Sequence, residues 1–180
     1  MLLSLALAVA LAACTGHTKS DGRASVSATK LGTSISPDQR KPSGVLSGSL
    51  LAGGDYASSA AAGKVLVIPY FASWCAPCQT ETPQLQGVYE QYRSKGVDFA
   101  GVDVKDPNTG GAKAWVKARG LTFPVVYDTV GHTILQLGKI QLVLPMTIVL
   151  DKHQRIAAVY AGSVLPADLT PVLDRLVKES

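Results

Sequence analysis

Phe71-Ala72-Ser73-Trp74-Cys75-Ala76-Pro77-Cys78 is the stretch on which the reading of this 180-residue chain turns. The run Val65-Leu66-Val67-Ile68 before it is short, apolar throughout and rich in β-branched residues, as a strand buried on both faces should be. After it, Leu85, Val88, Tyr89 and Tyr92 fall at i, i+3, i+4 and i+7, one apolar stripe of a helix. The cysteines, separated by two residues, therefore sit at a strand–helix seam. The first N–H groups of a helix have no intrahelical partner and favour negative charge. A thiolate at Cys75 is such a charge, and the thiolate is the nucleophilic form of cysteine. The pair reads as a redox device.

Working outward, Pro83 should kink the helix, and Lys95-Gly96 should end it. Val97 to Val104 reads as one further core strand, Asp106 to Gly111 as a loop, and Ala112 to Arg119 as a short helix with Trp115 and Val116 turned inward. Gly120 to Asp128 is a turn and an extended segment, and Ile134 to Leu142 carries no assignable element. Met146–Leu150 and Ile156–Ala161 pair as strands through the turn Asp151-Lys152-His153-Gln154. A last helix, Ala167 to Lys178, buries Leu169, Val172, Leu173, Leu176 and Val177. Before the central strand, Val45 to Ala62 suggests a weak β-hairpin turning at Gly53-Gly54-Asp55. Strand–helix alternation followed by a hairpin and a terminal helix means an α/β fold, a mixed sheet covered by helices, over residues 44–180. Pro69 cannot donate to a sheet ladder, so a bulge or an edge-like gap is expected beside it.

The N-terminal region has other work. Leu2 to Ala13 are apolar or small apart from one serine, too short a run for the about 20 residues that span a bilayer. Residues 1–13 fit a secretory signal peptide, although Met1 is followed directly by Leu2 with no positive n-region. Leu11-Ala12-Ala13-Cys14 resembles a bacterial lipobox, which implies lipidation of Cys14 and a stable membrane anchor. Residues 14–43, rich in Ser, Thr, Gly, Lys and Asp without apolar periodicity, read as the lipidated cysteine and a flexible tether, with His17 solvated. Of three cysteines, two then form a working pair and Cys14 has its own task. The location is extracytoplasmic. A formal charge of +4, scattered and without an aromatic-interleaved basic patch, argues against nucleic-acid binding.

Val65 to Pro83, with Trp74-Cys75-Ala76-Pro77-Cys78, Glu81 and Pro83, resembles the membrane-tethered TlpA/ResA-like branch of the thioredoxin family. Gly120-Leu121-Thr122-Phe123-Pro124-Val125 and Leu144-Pro145-Met146-Thr147 match the same branch, so the likeness covers Val45 to Ser180. It implies a thioredoxin fold with an N-terminal β-hairpin extension. It also implies a redox-active disulfide, Cys75–Cys78, as the only redox group, with no added cofactor or metal. Cys75 would be the exposed nucleophile and Cys78 the buried resolving thiol. Trp74, Ala76 and Pro77 would form the contact face. Pro145 would be the cis-proline of a loop lying against the dithiol, with the Leu144 backbone pairing an extended substrate. Glu81, three residues after Cys78 on the same helical face, would exchange a proton with the resolving thiol; the alternative is a carboxylate that merely complements the positive helix end. Pro69 departs from the pattern, standing where relatives often carry Asp or Asn. The implied partners are protein dithiols and disulfides, a membrane electron donor of the CcdA/DsbD type and the membrane itself, for a monomeric protein. The implied activity is a reductant of disulfides in exported proteins such as apocytochrome c, with a general extracytoplasmic oxidant or isomerase as the alternative.

Rival readings fare worse on the residues. One CxxC supplies two ligands where a closed zinc site needs four, and His132 and His153 lie in different turns. A Sco-like copper chaperone would show CxxxC, and haem attachment needs a histidine where Gln79 stands. A structural staple in a non-catalytic binding lipoprotein would need neither Trp74 nor Pro145.

Overall fold

The computed structural model describes residues 32–180 and begins with a two-residue strand, β1 (Thr33–Ser34). A hairpin of β2 (Ser47–Ser49) and β3 (Asp55–Ala57) precedes the central strand β4 (Val65–Phe71). Helix α1 (Ala76–Tyr92) leads to β5 (Val97–Phe99) and β6 (Gly101–Val104), and α2 (Thr109–Ala118) leads to β7 (Val125–Asp128). Then follow α3 (Thr133–Leu137), β8 (Met146–Leu150), β9 (Ile156–Ala161) and α4 (Pro166–Leu176). The main sheet has the order β1-β9-β8-β4-β6-β7, with β5 also on β4. β4, β5, β6 and β7 pair in parallel, whereas β8 and β9 are antiparallel, so the sheet is mixed.

Alternation along β4 sorts the core into two layers. Val65, Val67 and Phe71 face a cluster that includes Leu85 and Val88 of α1, Ala112 of α2, and Leu169, Leu173 and Leu176 of α4. Leu66, Ile68 and Tyr70 face Leu46, Ala61, Ile134 and Leu137 on the other side. Gly101 is needed on the first face, since a Cβ there would lie 2.8 Å from Phe123 and 2.9 Å from Phe71. Helix α1 runs through Pro83 as one element; the carbonyl that loses its donor belongs to solvent-exposed Gln79. It ends through a 3₁₀ turn at Gly96, where φ is 85°.

Three sequence expectations change. Val97 to Val104 is two strands. The Val67 carbonyl accepts from Ala100 N at 3.0 Å, so odd-numbered peptide groups of β4 face β5 and β6. Pro69, next on that side, has no N–H to give, and the partner strand is interrupted at Ala100; this is the gap beside Pro69. Second, the segment Ile134 to Leu142 opens within a real helix. The Asp128 carboxylate accepts from Val130 N, Gly131 N, Thr133 N and Thr133 Oγ1, which organises the start of α3 without any apolar periodicity.

Third, residues 32–43 are packed on the domain, although they read as tether; residues 1–31, with the signal segment, Cys14 and His17, lie outside the described residues. β1 pairs with β9, and Pro42 bridges to Arg155. The Arg40 side chain is wholly buried, 3.2 Å from Asp151 Oδ2, and it also pairs with Glu179 near the C-terminus. Arg155 Nε lies 2.8 Å from Asp151 as well. The attachment is polar, which is why hydrophobic patterning does not reveal it. Burial works against the Asp151 charge, but N–H groups of Arg155 and His153 and the two guanidinium groups hold its pKa below the usual carboxylate range. That contribution is present above about pH 4 and is lost as pH falls through the lowered folded value. Arg40→Ala should cost about 3 kcal/mol in urea unfolding, because it strands a buried carboxylate that keeps only part of its partners. Amide exchange along β9 should quicken with it.

Candidate active site

Cys75 is the N-cap of α1, and Cys78 lies in the first turn. They form a disulfide with an S–S distance of 2.04 Å. Cys75 Sγ also accepts the Cys78 N–H at 3.4 Å, and no acidic residue occupies the first turn of α1. On reduction, the positive end of the helix therefore meets this sulfur, which favours its thiolate over that of Cys78. Cys75 is less open than the expected exposed nucleophile: it is 5% exposed and Cys78 0%. Both sulfurs pack in the core cluster of α1, with Leu144 against it. What is exposed around them is Trp74, Ala76 and Pro77.

The loop before β8 closes the other side. The Leu144–Pro145 peptide is cis, Pro145 is buried, and its carbonyl accepts from Gly162 N at 2.9 Å. Val143 and Leu165 are exposed apolar residues on the adjoining loops. Glu81 lies inside, 5% exposed. Thr147 Oγ1 approaches its Oε1 at a long 3.5 Å, and Oε2 has no hydrogen-bond partner among the described residues. Burial pushes the Glu81 carboxyl up to about 7, against the opposing pull of Val164 N–H, Ser163 and Thr147. A shallow cleft of about 260 Å³, lined by Tyr160, Ser163, Val164, Leu165 and Asp168, opens beside these groups.

A further set of residues holds the loop. Ser73 N lies 3.1 Å from Asp106 Oδ2, and Ser73 Oγ donates to Asp106 Oδ1 at 2.9 Å. Trp74 Nε1 donates to the Lys105 carbonyl at 3.2 Å, and Gln79 Nε2 donates to the Ser73 carbonyl at 3.2 Å. Asp103, one strand turn earlier on β6, is fully buried. Sequence reasoning missed Asp103 and Asp106; the available signal was an acid inside Gly101-Val102-Asp103-Val104, a strand otherwise apolar. His132 and His153 are both exposed, and among the described residues no three His, Cys, Asp or Glu side chains cluster as metal ligands.

A sequence model described as Redoxin matches residues 33–173. The chain belongs to the Redoxin family. Within it the chain is TlpA/ResA-like: it is 28% identical over 114 residues to the thiol-disulfide oxidoreductase ResA of Geobacillus thermodenitrificans, covering 63% of this chain and 64% of that protein. It thus spans somewhat less than two thirds of the length of the curated relatives it matches. A DsbF homologue from Corynebacterium diphtheriae superposes with a TM-score of 0.79 at 34% identity, covering 82% of this chain and 94% of the other. A secreted thiol-disulfide isomerase from Corynebacterium glutamicum superposes at 0.80 with 30% identity, covering 84% and 94%. The fold of this Redoxin-family chain is accordingly the thioredoxin fold, a mixed sheet flanked by helices.

Glu81 gives a pH signature with a fixed sign. An acid whose folded pKa is raised contributes stability that is intact below its unfolded value, about 4.5, and is lost as pH rises through about 7. Glu81→Gln in the oxidised protein should therefore match the wild type near pH ~4 and melt about 3 °C or more above it near pH ~8.5. Differential scanning calorimetry at the two pH values checks this.

Proposed function

We propose that this protein is an extracytoplasmic thiol–disulfide oxidoreductase, tethered to the membrane by lipid on Cys14 and working as a reductant of disulfides in exported proteins. The observation that carries the reading is the Cys75–Cys78 disulfide at the N-terminus of α1, facing the cis Leu144–Pro145 loop, with the Glu81 carboxyl buried behind. In the reduced protein, Cys75 thiolate attacks one sulfur of a client disulfide. A Cys75–client mixed disulfide forms, and the other client sulfur leaves as a thiolate. Cys78 gives its proton to ionised Glu81, attacks Cys75 Sγ and expels the second client thiolate. The client gains two electrons, and the Cys75–Cys78 disulfide is restored. Trp74, Ala76, Pro77 and the Leu144 backbone offer the client an exposed, largely apolar seat.

The reducing direction rests on Ala76-Pro77, which keeps the proline of reducing thioredoxins and lacks the proline–histidine pair of the oxidant DsbA. A membrane donor of the CcdA/DsbD type would return electrons to the disulfide, and an apocytochrome c disulfide is the client chemistry proposed. A second reading, a general secreted oxidant or isomerase, draws support from the two Corynebacterium structures, which this chain covers more completely than it covers ResA.

Equilibration of the oxidised and reduced protein with glutathione and dithiothreitol buffers decides the direction. A potential near that of thioredoxin, about −270 mV, is the expected result; one near about −120 mV, that of DsbA, transfers the assignment to the oxidant. Cys78→Ser should trap a Cys75 mixed disulfide with a model disulfide peptide, visible by mass spectrometry, whereas Cys75→Ser should trap none.

A further inference from the structure

Behind the loop that carries exposed Trp74 and buried Cys75 lie two carboxyls that the sulfur chemistry does not use. Asp103 sits on β6 in register with Phe71 of β4 and Tyr127 of β7. It faces the α1/α2 side of the sheet, as its i−2 neighbour Gly101 does by approaching Phe71 and Phe123. It is 0% exposed, and among the described residues neither carboxyl oxygen has a hydrogen-bond partner. Two buried orphan acceptors on an ionised acid are costly. The same carboxyl with a proton becomes a donor, and Asp106, three residues further along the chain, is the acid whose charge bears on it. Asp106 spends its acceptors on Ser73, taking its N–H and its hydroxyl. Lys105, between the two acids, is held at φ 60°, a left-handed conformation that a lysine seldom adopts. That conformation presents the Lys105 carbonyl to Trp74 Nε1.

We propose that Asp106 is the positioning residue for Trp74 and Cys75, acting through Ser73, and that the buried Asp103 carboxyl keeps it in place by donating a hydrogen bond to it. The inference deepens the oxidoreductase reading and rests on it for its kinetic arm, while its spectroscopic arm does not. With Asp103 protonated, its O–H is free to donate toward Asp106, whose two oxygens accept from Ser73 N and Ser73 Oγ. Loss of that proton places two like charges side by side in a buried position and drives Asp106 off Ser73. Burial, and then the Asp106 charge, raise the Asp103 pKa to about 8, which sets the pH at which the grip fails.

The groups packed around the pair leave it otherwise uncompensated. From β7, Tyr127 Oη donates to the Asp106 backbone carbonyl, and its phenol stays neutral because burial and both acids raise its pKa. At the C-terminal cap of α2, Arg119 lies over the Trp115 ring and donates to Gln79, and Trp115 Nε1 is buried without a partner among the described residues. From α1, Gln79 is neutral; Lys105, on the loop itself, is exposed. Glu81 faces Thr147, Ser163 and Val164 instead.

The test uses the oxidised protein, in which neither cysteine titrates, in a Glu81→Gln background that removes the other raised acid. Trp74 emission, taken as the difference from Trp74→Phe, is followed between about pH 6 and about pH 9.5. A transition centred near pH 8 is expected, with its loss in Asp103→Asn, whose amide donates to Asp106 at every pH. Asp106→Ala should show the high-pH emission throughout and lower kcat/KM for a disulfide peptide about tenfold or more near neutral pH, with Asp103→Asn near wild type there. Ser73→Ala, which keeps the N–H bond and loses the hydroxyl bond, should fall between them and stands in if Asp106→Ala does not fold. The proposal is overturned if the transition persists in Asp103→Asn, or if Ser73→Ala and folded Asp106→Ala keep wild-type emission. If the wild type lacks exchange activity while the emission results hold, the oxidoreductase reading fails and the clamp stands.

Discussion

The Cys78 N–H directed at Cys75 Sγ is the interaction around which this structure is arranged. A helix N-terminus offers donors and partial positive charge, and a first turn free of acids leaves them to the sulfur. For that helix end to sit at the surface, β4 must deliver the chain to it from the middle of the sheet. β4 does so because each of its residues is buried and it is paired on both edges. The two cysteines then lie, still covered, where β4 ends, between the loop after β6 and the loop before β8. Placement by strand ends explains why the surrounding groups come from segments far apart in the sequence.

Those two loops supply opposite kinds of support. On the β8 side, the cis Leu144–Pro145 turn is fixed by Gly162 N, and Thr147 points its hydroxyl toward Glu81. On the β6 side, Asp106 and Lys105 hold Ser73 and Trp74 by direct hydrogen bonds. A buried acid stands behind each side, Glu81 near about 7 and Asp103 near about 8, raised first of all by loss of water. The two sites carry their protons in different settings. Glu81 shares a helical face with Cys78, and Asp103 lies three residues before a second acid, Asp106.

What the sequence disclosed follows from how local each signal is. The strand Val65 to Ile68, the Trp74-Cys75-Ala76-Pro77-Cys78 seam, the β8–β9 hairpin and the apolar stripe of α4 are patterns within a few residues, and each appears where periodicity and turn chemistry put it. Arg40 escaped because its partners, Asp151 and Glu179, lie more than a hundred residues away and the contact is polar. Asp128 escaped for a related reason: it builds the start of α3 with a carboxylate, and a helix of Thr133–Leu137 is too short to show a period. Asp103 was visible as a letter, yet only the sheet register reveals that both its faces are closed.

Pro69 ties these observations together. Its register partner on β8 is Thr147, so the two side chains share a face, the one that carries α1 and Glu81. An Asp or Asn at this position would offer a polar group on that face of the sheet. Proline places an apolar ring there and removes a ladder donor on the β5/β6 side, opposite the break at Ala100. The polar surroundings left to Glu81 are then the long contact from Thr147 and the edge formed by Ser163 and Val164. A drier neighbourhood favours the neutral acid, so Pro69 works in the same direction as the raised pKa of Glu81.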